Sequence, residues 1–480
     1  MKQFYFLLVS RREAGLLLIV AVVLGVYANS LDNSFQYDDR HSISENPHIR
    51  DLANIPDFFS RPDFFSRDPD KAMYRPMLLV SYALNYAWSA SDVRSYHWVN
   101  IGLHALCSLL LWGIILCLGR PPCMALLAAL VFAVHPLCSE PVNYISSRSE
   151  LMAALGVLAA FWCYLHHERT GRFPWLFVSL LFFGLGLLSK SVAITLPVWL
   201  VVWDLLRGRK GREVWQRYIP YLVVAGFYLL LVREMLHRAV VAEPVRSWSA
   251  QLGTQIKALV YYGYLTVAPY KLSVHHAFAE SELGTALVWV CLLGLVSLLL
   301  MGRRPAVLLA STIALSTLLP TLIVPLNVLV NEHRLYLVVA GMVLALFSLE
   351  RVENLPGLRW GAPLVVVLLG LLTGARNEVW RDEYSLWSDA SAKNPNAVRA
   401  YVYMGNYARG RGDAQRALSE YERALRLEGD NVVARAGMAN SYQDMGRVDE
   451  AIVQFAELLR RSPQMTDLHY SLGRALQQAG

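Results

Sequence analysis

The chain has 480 residues, of which 55% are hydrophobic and 17% are charged, and its formal net charge is +7. Soluble domains carry about 25% charged residues, so this composition excludes an ordinary soluble enzyme and favours a membrane protein. The positive charge lies largely in short basic loops, which the positive-inside rule explains without a nucleic-acid partner.

The first apolar segment, residues 14–31, follows a basic start with Lys2, Arg11 and Arg12. No clear small-residue cleavage site follows it and many further apolar segments do, which predicts a retained helix and not a signal peptide. A helix of about 20 residues crosses the hydrocarbon core of a bilayer. Eleven segments are predicted to span: 14–31, 97–119, 123–139, 149–166, 174–189, 191–206, 218–236, 284–301, 305–325, 334–350 and 360–375.

The basic loops predict the orientation of these spans. Clusters lie at the N-terminus and at 166–172, 207–217 and 302–304. If these clusters are cytoplasmic, the N-terminus is inside, the spans alternate and the C-terminus is on the outer face. The segment 256–270 would break the alternation if it spanned, so we interpret it as an interfacial or re-entrant helix.

The loop 32–96 is the first of two large regions on the predicted outer side. It contains a local duplication, "DFFSR-P-DFFSR", at 57–67, and the apolar stretch "RPMLLVSYALNYAW" at 75–88. Both are rich in aromatic residues, and we interpret them as amphipathic pieces that lie in the membrane interface.

The second outer region, residues 376–480, has a 34-residue period. Residues of matching type recur at this spacing: Pro395, Gly429 and Pro463; Gly405, Ala439 and Gly473; Gly412, Gly446 and Gly480; Ala417 and Ala451; Tyr421 and Phe455. This period with small residues at helix crossings predicts tetratricopeptide repeats, two complete and a third that stops after its first helix. Because stacked repeats need three or more units and a cap, such a stop is the pattern expected of a truncated array. We interpret the repeats as a surface for peptide or protein segments, with a packing or oligomerisation module as the alternative.

Polar and ionisable residues cluster at the predicted outer ends of the spans. Since such groups are expensive at membrane depth and usually functional, we expect them to face one outer cavity. They are Asp38 and Asp39; His97, Asn100 and His104; His135, Glu140, Asn143, Arg148 and Glu150; Lys190; and Glu332, His333 and Arg334.

A metal site is not indicated by these residues. The six cysteines have no CxxC spacing, and the His97 and His104 side chains are about 10.5 Å apart along a helix, too far to share one ion. The pair His275 and His276 has no partner in register. For His97, Asn100 and His104, interhelical hydrogen bonding is favoured over catalysis. A divalent ion held by Asp38, Asp39 and Glu140 stays open as an alternative.

The acidic pair Asp38 and Asp39 taken alone is more typical of a solvated loop or a helix cap. Basic residues at the same predicted level (Arg148, Lys190 and Arg334) change that interpretation. A carboxylate beside fixed cations at the bilayer edge is suited to removing a proton from an acceptor hydroxyl while the cations hold a departing lipid-linked phosphate. No metal or other cofactor is required for that chemistry.

Seven motifs occur in the order found in a known family. They are "YDD" (37–39), "YRPMLLVSYALNY" (74–86), "HWVNIGLHAL" (97–106), "FAVHPLCSEPVNYISSRSELM" (132–152), "LLSK" (187–190), "NEHRLYL" (331–337) and "WRDEYSLWSDASAKNPNAVRAYVYMGN" (380–406). With the repeats, they resemble the transmembrane-and-tetratricopeptide O-mannosyltransferases and their bacterial homologues, and more distantly the protein O-mannosyltransferases of the GT-C superfamily.

The resemblance implies an all-α fold: a polytopic GT-C-type membrane domain of about eleven spans over 1–375, followed by a tetratricopeptide solenoid over 376–480. It implies an inverting glycosyltransferase that uses a polyprenyl-phosphate sugar. By the same resemblance, Asp38 is expected to be the general base and Asp39 to order the site or its loop. The donor phosphate is expected to be contacted by Arg148, Lys190 and Arg334. The acceptor or the donor is expected to be positioned by Glu140, together with His97 and His135.

Other features of the resemblance concern substrate and location. Mannose is the sugar most favoured by the resemblance, and the favoured acceptor is an exported protein presented by the repeats. A bacterial inner membrane is favoured over the endoplasmic reticulum. Ser191 stands after "LLSK" where many relatives carry Glu, which puts a carboxylate role there in doubt. The alternatives are a glycan or lipid acceptor, a non-catalytic scaffold whose repeats recruit envelope proteins, and, last, a flippase for lipid-linked sugars. The flippase predicts paired broken helices that the sequence does not display.

Overall fold

A computed structural model describes residues 12–209, 211–238, 240, 245–281, 305–325, 328–348, 358–461, 463–464 and 466–480. Every regular element in these ranges is helical, which confirms the predicted all-α class. The chain divides into two compact units, Met1–Leu272 with Ala279–Glu378, and Ser273–Phe278 with Val379–Gly480. The predicted boundary after residue 375 falls inside the last helix of the first unit.

The first unit is a bundle of apolar helices. Within the described ranges its α-helices are α1 Arg12–Tyr27, α2 Pro76–Ser89, α3 Val93–Cys117, α4 Pro122–Ala133, α5 Ser139–Asn143, α6 Arg148–Thr170, α7 Phe173–Ser189, α8 Leu196–Leu206, α9 Arg212–His237, α10 Trp248–Val267, α11 Pro305–Ile323, α12 Tyr336–Ser348 and α13 Leu358–Val379.

Five helical segments in the described ranges are long and apolar enough to cross a membrane: Glu13–Asp32, Val93–Cys117, Ile145–Thr170, Val214–His237 and Gly361–Val379. Pro122–Ala133 and Pro136–Asn143 form a sixth if this pair, bent by 54°, is one broken span. The predicted spans 174–189 and 191–206 coincide with shorter apolar helices.

The remaining predicted spans fare differently. The spans 305–325 and 334–350 correspond to α11 and α12, and 284–301 lies outside the described residues. The segment 256–270 lies largely in α10, which is not among the candidate spans. The total of eleven spans and the interfacial placement of 256–270 stay predictions.

Helices α6 and α7 cross at two glycines. A Cβ atom on Gly156 would lie 2.7 Å from the carbonyl oxygen of Phe182 and 2.8 Å from the Cα atom of Gly186, so only glycine permits this approach. Small residues at such crossings are typical of helices packed in membranes. The crossing brings the C-terminal end of α7, where Lys190 follows, beside the first turns of α6.

The loop 32–96 has a small apolar core of its own. Phe58, Phe64 and Phe65 of the duplicated segment are 1–6% exposed and cluster with Leu78, Leu79 and Tyr82 of α2. The rings of these three phenylalanines are therefore used for packing within the loop, and the interfacial placement of the duplicated segment stays a prediction. Helix α2 leaves Leu84 and Trp88 54% and 69% exposed, and its predicted place in the membrane interface stays a prediction.

A buried network of asparagines, which we call the asparagine network, joins the start of this loop to α5 and α13. The Nδ2 atom of Asn33 donates to Asn143 Oδ1 (2.7 Å) and to the carbonyl of Asn377 (3.2 Å). Asn143 Nδ2 donates to Asn377 Oδ1 (2.7 Å), and Asn377 Nδ2 donates to Asn29 Oδ1 and to the carbonyl of Val26. Since these amides satisfy one another away from water, they fix where the loop leaves α1.

The second unit contains the predicted repeats. Its helices are α14 Glu383–Lys393, α15 Val398–Gly410, α16 Ala414–Leu427, α17 Val432–Asp444, α18 Val448–Arg461 and α19 Thr466–Ala479. Helices α15 and α16 form the first complete repeat, α17 and α18 the second, and α19 is the first helix of the third. Gly412 and Gly446 follow the first helix of each complete repeat with φ values of +82° and +75°, a conformation that favours glycine.

The ring of Tyr421 on α16 fills the gap between neighbouring repeats. A Cβ atom on Gly405 of α15 would lie 2.7 Å from this ring, and one on Gly437 of α17 would also overlap it. The phenol donates to Asn406 Oδ1 at 2.7 Å. The predicted pairing of a small residue with an aromatic one is therefore what spaces these helices.

Candidate functional site

Asp38 and Asp39 lie in a tight turn at the start of the loop. The backbone N–H of Asp39 donates to the carbonyl of Gln36 at 2.8 Å, and Tyr37 has a φ of +51°. A positive φ is strained for a tyrosine and persists only where surrounding contacts hold it. The Tyr37 ring lies 6.1 Å from the Tyr144 ring, centroid to centroid, and the Tyr144 hydroxyl accepts the backbone N–H of Asp38.

The side chain of Asp39 is fully buried. Its side chain is 0% exposed and accepts three hydrogen bonds: from the Ser146 backbone N–H (2.7 Å), the Ser146 hydroxyl (2.6 Å) and the Gln36 backbone N–H (3.0 Å). Burial raises the pKa of Asp39 to about 7, against the lowering effect of these hydrogen bonds. Such a carboxylate fastens the loop to the segment before α6.

Asp38 is in a different environment, although it is the next residue. Its side chain is 47% exposed, and Oδ1 lies 3.3 Å from Nε2 of His41. Its carbonyl accepts the Ser42 hydroxyl at 2.7 Å. Of the two acids, Asp38 is the one that a substrate can reach.

The segment that anchors Asp39 leads into the first turn of α6, where an ion pair lies. Ser146 and Glu150 are four residues apart, roughly 6 Å along a helix axis. Glu150 accepts a hydrogen bond from Nζ of Lys190, and these side chains are 6% and 18% exposed. Burial lowers the pKa of Lys190 to about 8, against the raising effect of Glu150. The acidic loop and the predicted phosphate-binding lysine thus meet the same short stretch of chain.

Arg75 lies near Lys190 at this stretch, and we call these two residues the cation cluster; His333 lies beside them. Nη1 of Arg75 donates to the Ser149 hydroxyl at 3.3 Å, and its charge acts on Lys190 and His333. Burial, then the charge of Lys190, holds the pKa of His333 well below its usual range. The sequence analysis missed Arg75 as a site residue because Arg75 was counted with an apolar stretch. Its place in the family motif "YRPMLLVSYALNY" (74–86) was the available signal.

Arg334 lies near this region, and both of its Nη atoms already make hydrogen bonds. It is 9% exposed and donates to the carbonyls of Val328 (2.9 Å) and Leu329 (3.1 Å) and to the hydroxyl of Tyr262. These bonds hold the chain before α12. Arg334 adds positive potential near Lys190, and its direct contact with a phosphate stays a prediction.

Arg148 is at odds with its predicted role at the donor phosphate. It is 0% exposed, and its guanidinium lies between the rings of Tyr82 and Tyr96, 5.0 and 5.4 Å from their centroids. Its N–H groups donate to oxygens of Asn100, Ser81, Asn85 and Tyr96. These residues offer five acceptor oxygens, because Ser81 accepts through both its carbonyl and its hydroxyl. Since an arginine has five N–H groups, all of them are used, and Arg148 in this arrangement binds α2 and α3 to α6.

The three predicted positioning residues are buried and separately bonded. Glu140 is 4% exposed and accepts from Nδ1 of His333 at 2.6 Å. His97 is 0% exposed with Nε2 3.0 Å from the Asn33 carbonyl, and Nδ1 of His135 accepts the Leu137 backbone N–H. Only Glu140, through His333, is connected to the cation cluster, and the positioning roles stay predictions.

Hydrogen bonding between helices was favoured for His97, Asn100 and His104 of α3, and the structure shows such bonds for Asn100 and His104. His104 bonds the Tyr336 hydroxyl (2.7 Å) and the Ala133 carbonyl (3.0 Å), and Asn100 donates to the carbonyl of Val142 at 3.1 Å. These contacts join α3 to α4, α5 and α12.

The alternative of a divalent ion has no assembled ligand set in the part of the chain that the structure describes. No group of three His, Cys, Asp or Glu residues meets there in a suitable arrangement. Asp39 is bound to Ser146 and Glu140 to His333, so the three carboxylates point to different partners. Metal dependence stays a question for experiment.

Comparison with known families places two matches on the chain. Residues 76–236 match the family described as dolichyl-phosphate-mannose-protein mannosyltransferase, and residues 408–474 match the tetratricopeptide repeat. The second match confirms the predicted repeats.

Curated relatives are named protein O-mannosyl-transferases. The protein O-mannosyl-transferase TMTC3 of Mus musculus is 25% identical over 506 residues, which covers 93% of this chain and 55% of that protein; its Homo sapiens counterpart is 24% identical with the same coverage. Protein O-mannosyl-transferase Tmtc1 of Drosophila melanogaster is 32% identical over 236 residues, 45% of this chain and 27% of that protein. The chain thus spans about half the length of the curated relatives that match most of it.

Among solved structures, ArnT from Cupriavidus metallidurans bound to undecaprenyl phosphate aligns with a TM-score of 0.46 and 17% identity, over 97% of this chain and 85% of that chain. The family matches and the curated relatives confirm the resemblance predicted from the motifs. The chain resembles the transmembrane-and-tetratricopeptide O-mannosyltransferases, and it is an integral, multi-pass membrane protein with an all-α fold that ends in tetratricopeptide repeats.

Proposed function

We propose that this protein is an inverting membrane glycosyltransferase. It moves a sugar, with mannose as the leading candidate, from a polyprenyl-phosphate donor to a hydroxyl, and the acceptor is a Ser or Thr of an exported protein. One observation carries the proposal: a half-exposed carboxylate, Asp38, is held by its buried neighbour Asp39 to the same stretch of chain that bears the Lys190–Glu150 ion pair. The names of the curated relatives support the sugar.

Asp38 acts as the general base. It takes the proton of the acceptor hydroxyl while that oxygen attacks the anomeric carbon of the sugar. The bond between the anomeric carbon and the phosphate oxygen breaks, its electron pair leaves with the polyprenyl phosphate, and the anomeric configuration inverts. A carboxylate positioned within hydrogen-bond reach of the hydroxyl contributes roughly 10²–10⁴-fold to such a step. Asp39 orders the turn.

The cation cluster binds the donor phosphate. Lys190 is its most suitable member because it is partly exposed and its bond to Glu150 can be exchanged for one to phosphate oxygen. Arg75 adds a planar guanidinium suited to two phosphate oxygens. Fixed cations at the departing phosphate stabilise the charge that develops on it in the transition state. Arg334 adds positive potential near Lys190. Glu140 positions His333.

The remaining parts of the chain supply location and acceptor. The membrane domain, 1–375, holds the donor lipid, and the repeats, 376–480, present the acceptor on the outer side of a bacterial inner membrane, with the N-terminus cytoplasmic. No cofactor is required for the step above, because Asp38 handles the proton and the basic side chains handle the phosphate charge.

The test measures release of polyprenyl phosphate by the purified protein, given polyprenyl-phosphate mannose and a mixture of periplasmic proteins. The intact protein is compared with Asp38→Asn, each with and without a chelator. Asp63→Asn is the matched control, since Asp63 is an exposed acid of the same loop and pairs with Arg61 at 2.8 Å.

We expect acceptor-dependent release by the intact protein and by Asp63→Asn, a loss of at least 100-fold in Asp38→Asn, and no effect of the chelator. Loss of activity with the chelator would reassign Asp38 and Asp39 to a metal. If polyprenyl phosphate were released only when a glycan or lipid acceptor was supplied, the proposed protein acceptor would be wrong. No turnover and no binding of the donor would support the non-catalytic scaffold.

A further inference from the structure

His41 lies between the exposed acid of the loop and the second copy of the duplicated "DFFSR" segment. Its Nε2 atom is 3.3 Å from Asp38 Oδ1, and its Nδ1 atom is 2.9 Å from the hydroxyl oxygen of Ser66. The His41 carbonyl accepts the backbone N–H of Arg67 at 2.9 Å. The ring is 14% exposed, so both of its nitrogens are used inside the protein.

The contacts of Ser66 determine which ring nitrogen carries the hydrogen. Ser66 is 1% exposed, and its oxygen already accepts the backbone N–H of Asp68 at 2.9 Å. Its own hydrogen requires an acceptor, and among the contacts of this hydroxyl in the described structure only Nδ1 of His41 can accept. A neutral imidazole that accepts at Nδ1 carries its hydrogen on Nε2. That hydrogen points at Asp38.

We propose that Ser66 and His41 form a support for the general base, in which the Ser66 hydroxyl fixes the His41 tautomer and His41 Nε2–H holds Asp38 in its ionised, substrate-facing orientation. This inference rests on the proposed role of Asp38 and extends it to a positioning residue, His41, and to the residue that positions it in turn. It also gives the second copy of the duplicated segment a function.

The two copies of the duplication are not equivalent, and this difference supplies the control. Ser66, in the second copy, is buried against His41, whereas Ser60, at the same place in the first copy, is exposed and bonds only the Asp57 carbonyl at 3.3 Å. A support for Asp38 requires the hydroxyl of Ser66 and not that of Ser60. The same substitution in each copy therefore separates this function from general effects on the segment.

Other ionisable groups face this support and have to be kept constant in its test. Asp39 and Tyr144 face Asp38 from the turn and from the segment before α6, and Asp68 faces His41 from the chain after Ser66. Tyr37 lies beside Tyr144, and Arg67 and Lys71 lie beside Asp68. None of these residues is changed in the variants below.

The first measurement reads the tautomer directly. Full-length protein with ¹⁵N-labelled histidine, in lipid nanodiscs at pH 8, is compared by nuclear magnetic resonance with His41→Gln, which identifies the His41 signals by their loss. We expect an unprotonated Nδ1 and a protonated Nε2 in the intact protein and in Ser60→Ala, and a mixture of tautomers in Ser66→Ala. A protonated Nδ1 in the intact protein would overturn the proposal.

The second measurement is the pH dependence of turnover with polyprenyl-phosphate mannose. A hydrogen bond to an ionised acceptor is worth about tenfold, so we expect kcat to fall about tenfold in His41→Ala and Ser66→Ala with KM for the donor unchanged. The acid limb of the profile should move to higher pH, because the ionised base has lost its donor. His41→Gln, whose amide N–H can occupy the place of Nε2–H, should recover most of kcat, and Ser60→Ala should match the intact protein.

The outcomes separate the two proposals. Reduced activity in Ser66→Ala with an unmoved profile would mean a merely structural role and would overturn the support. An inactive intact protein would overturn the proposed function, and the resonance experiment then decides alone whether Ser66 sets the tautomer of His41. Equal losses in Ser60→Ala and Ser66→Ala would also count against the proposal.

Discussion

Lys190 is bonded to Glu150 across 40 residues of sequence, from the end of one helix to the first turn of its neighbour. Both side chains are largely buried. Breaking a buried pair leaves an uncompensated charge and costs about 3–5 kcal/mol, whereas removing both charges costs much less. Substitutions in this pair therefore affect both the stability of the fold and the proposed binding of phosphate by Lys190, and the two effects are measured separately.

For stability, we expect Glu150→Gln to lower the melting temperature more than the double variant Glu150→Gln with Lys190→Met. The single variant strands the ammonium of Lys190 in a partly buried place, at a cost of about 2 kcal/mol after allowance for its remaining exposure. Thermal unfolding in detergent of the intact protein, both single variants and the double variant completes the cycle. Additive effects would show that the two charges are not coupled.

For binding, Lys190→Met should weaken the affinity for polyprenyl phosphate at least tenfold, because it removes a partly exposed ammonium of the cation cluster. Lys71→Met is the matched control, since Lys71 is a lysine of the loop 32–96 that pairs with Asp68 at 3.0 Å. Binding is measured by calorimetry in detergent. Equal affinities for the two variants would remove Lys190 from the donor site.

Arg148→Lys should damage the fold and not the donor site. A lysine replaces five fixed N–H groups by three on a flexible stem, so several buried oxygens lose a partner, at a cost of about 3 kcal/mol or more. Arg94→Lys, at an exposed arginine that pairs with Asp32 at 2.7 Å, should be close to neutral. Melting temperature and donor affinity are measured on both. A stable Arg148→Lys protein with selectively weakened donor binding would restore the role first predicted for Arg148.

Asp39 should make stability depend on pH in an unusual direction. The pKa of Asp39 is about 7 in the folded protein, above the ordinary value of 3.8, so folding favours its protonated form. This contribution is complete below pH 3.8 and is lost as the pH rises through 7, a change on the order of 2 kcal/mol between pH 5 and pH 8. Asp39→Asn does not titrate, so its melting temperature should fall less over this window. Parallel curves for the two proteins would contradict the raised pKa.

Gly405→Ala should loosen the repeats, because its methyl group would overlap the ring of Tyr421. Overpacking of this kind costs about 1–3 kcal/mol. Gly410→Ala, in the same helix and with open space around it, should be neutral or slightly stabilising. Limited proteolysis of the C-terminal helices in the full chain compares the two. Equal resistance would mean that the Tyr421 ring can move aside.

The sequence predicted the helical class, the repeats and the acidic turn, because these depend on local patterns: apolar length, a 34-residue period and the adjacency of Asp38 and Asp39. The local pattern alone does not distinguish Asp38 from Asp39, and their different predicted roles came only from the family resemblance. Their different burial depends on Ser146, which is 107 residues from Asp39. The sequence analysis placed Arg148 at the donor phosphate, and that role stays a prediction beside the contacts that bury the guanidinium. A charged residue near the end of a span suggests a functional role. The hydrogen-bond acceptors of Arg148 on α2 and α3, which indicate a structural role, can be seen only in the folded structure.

The asparagine network has a consequence for biogenesis. Asn377 of the last described membrane helix bonds the carbonyl of Val26 and the side chain of Asn29, at sequence separations of 351 and 348 residues. A ribosome that adds 5–20 residues per second needs roughly 20–70 s to bridge that separation. Throughout this interval the turn that carries Asp38 and Asp39 lacks one of its anchors. The loop that carries the proposed general base therefore gains its last asparagine contact only after α13 has been synthesised.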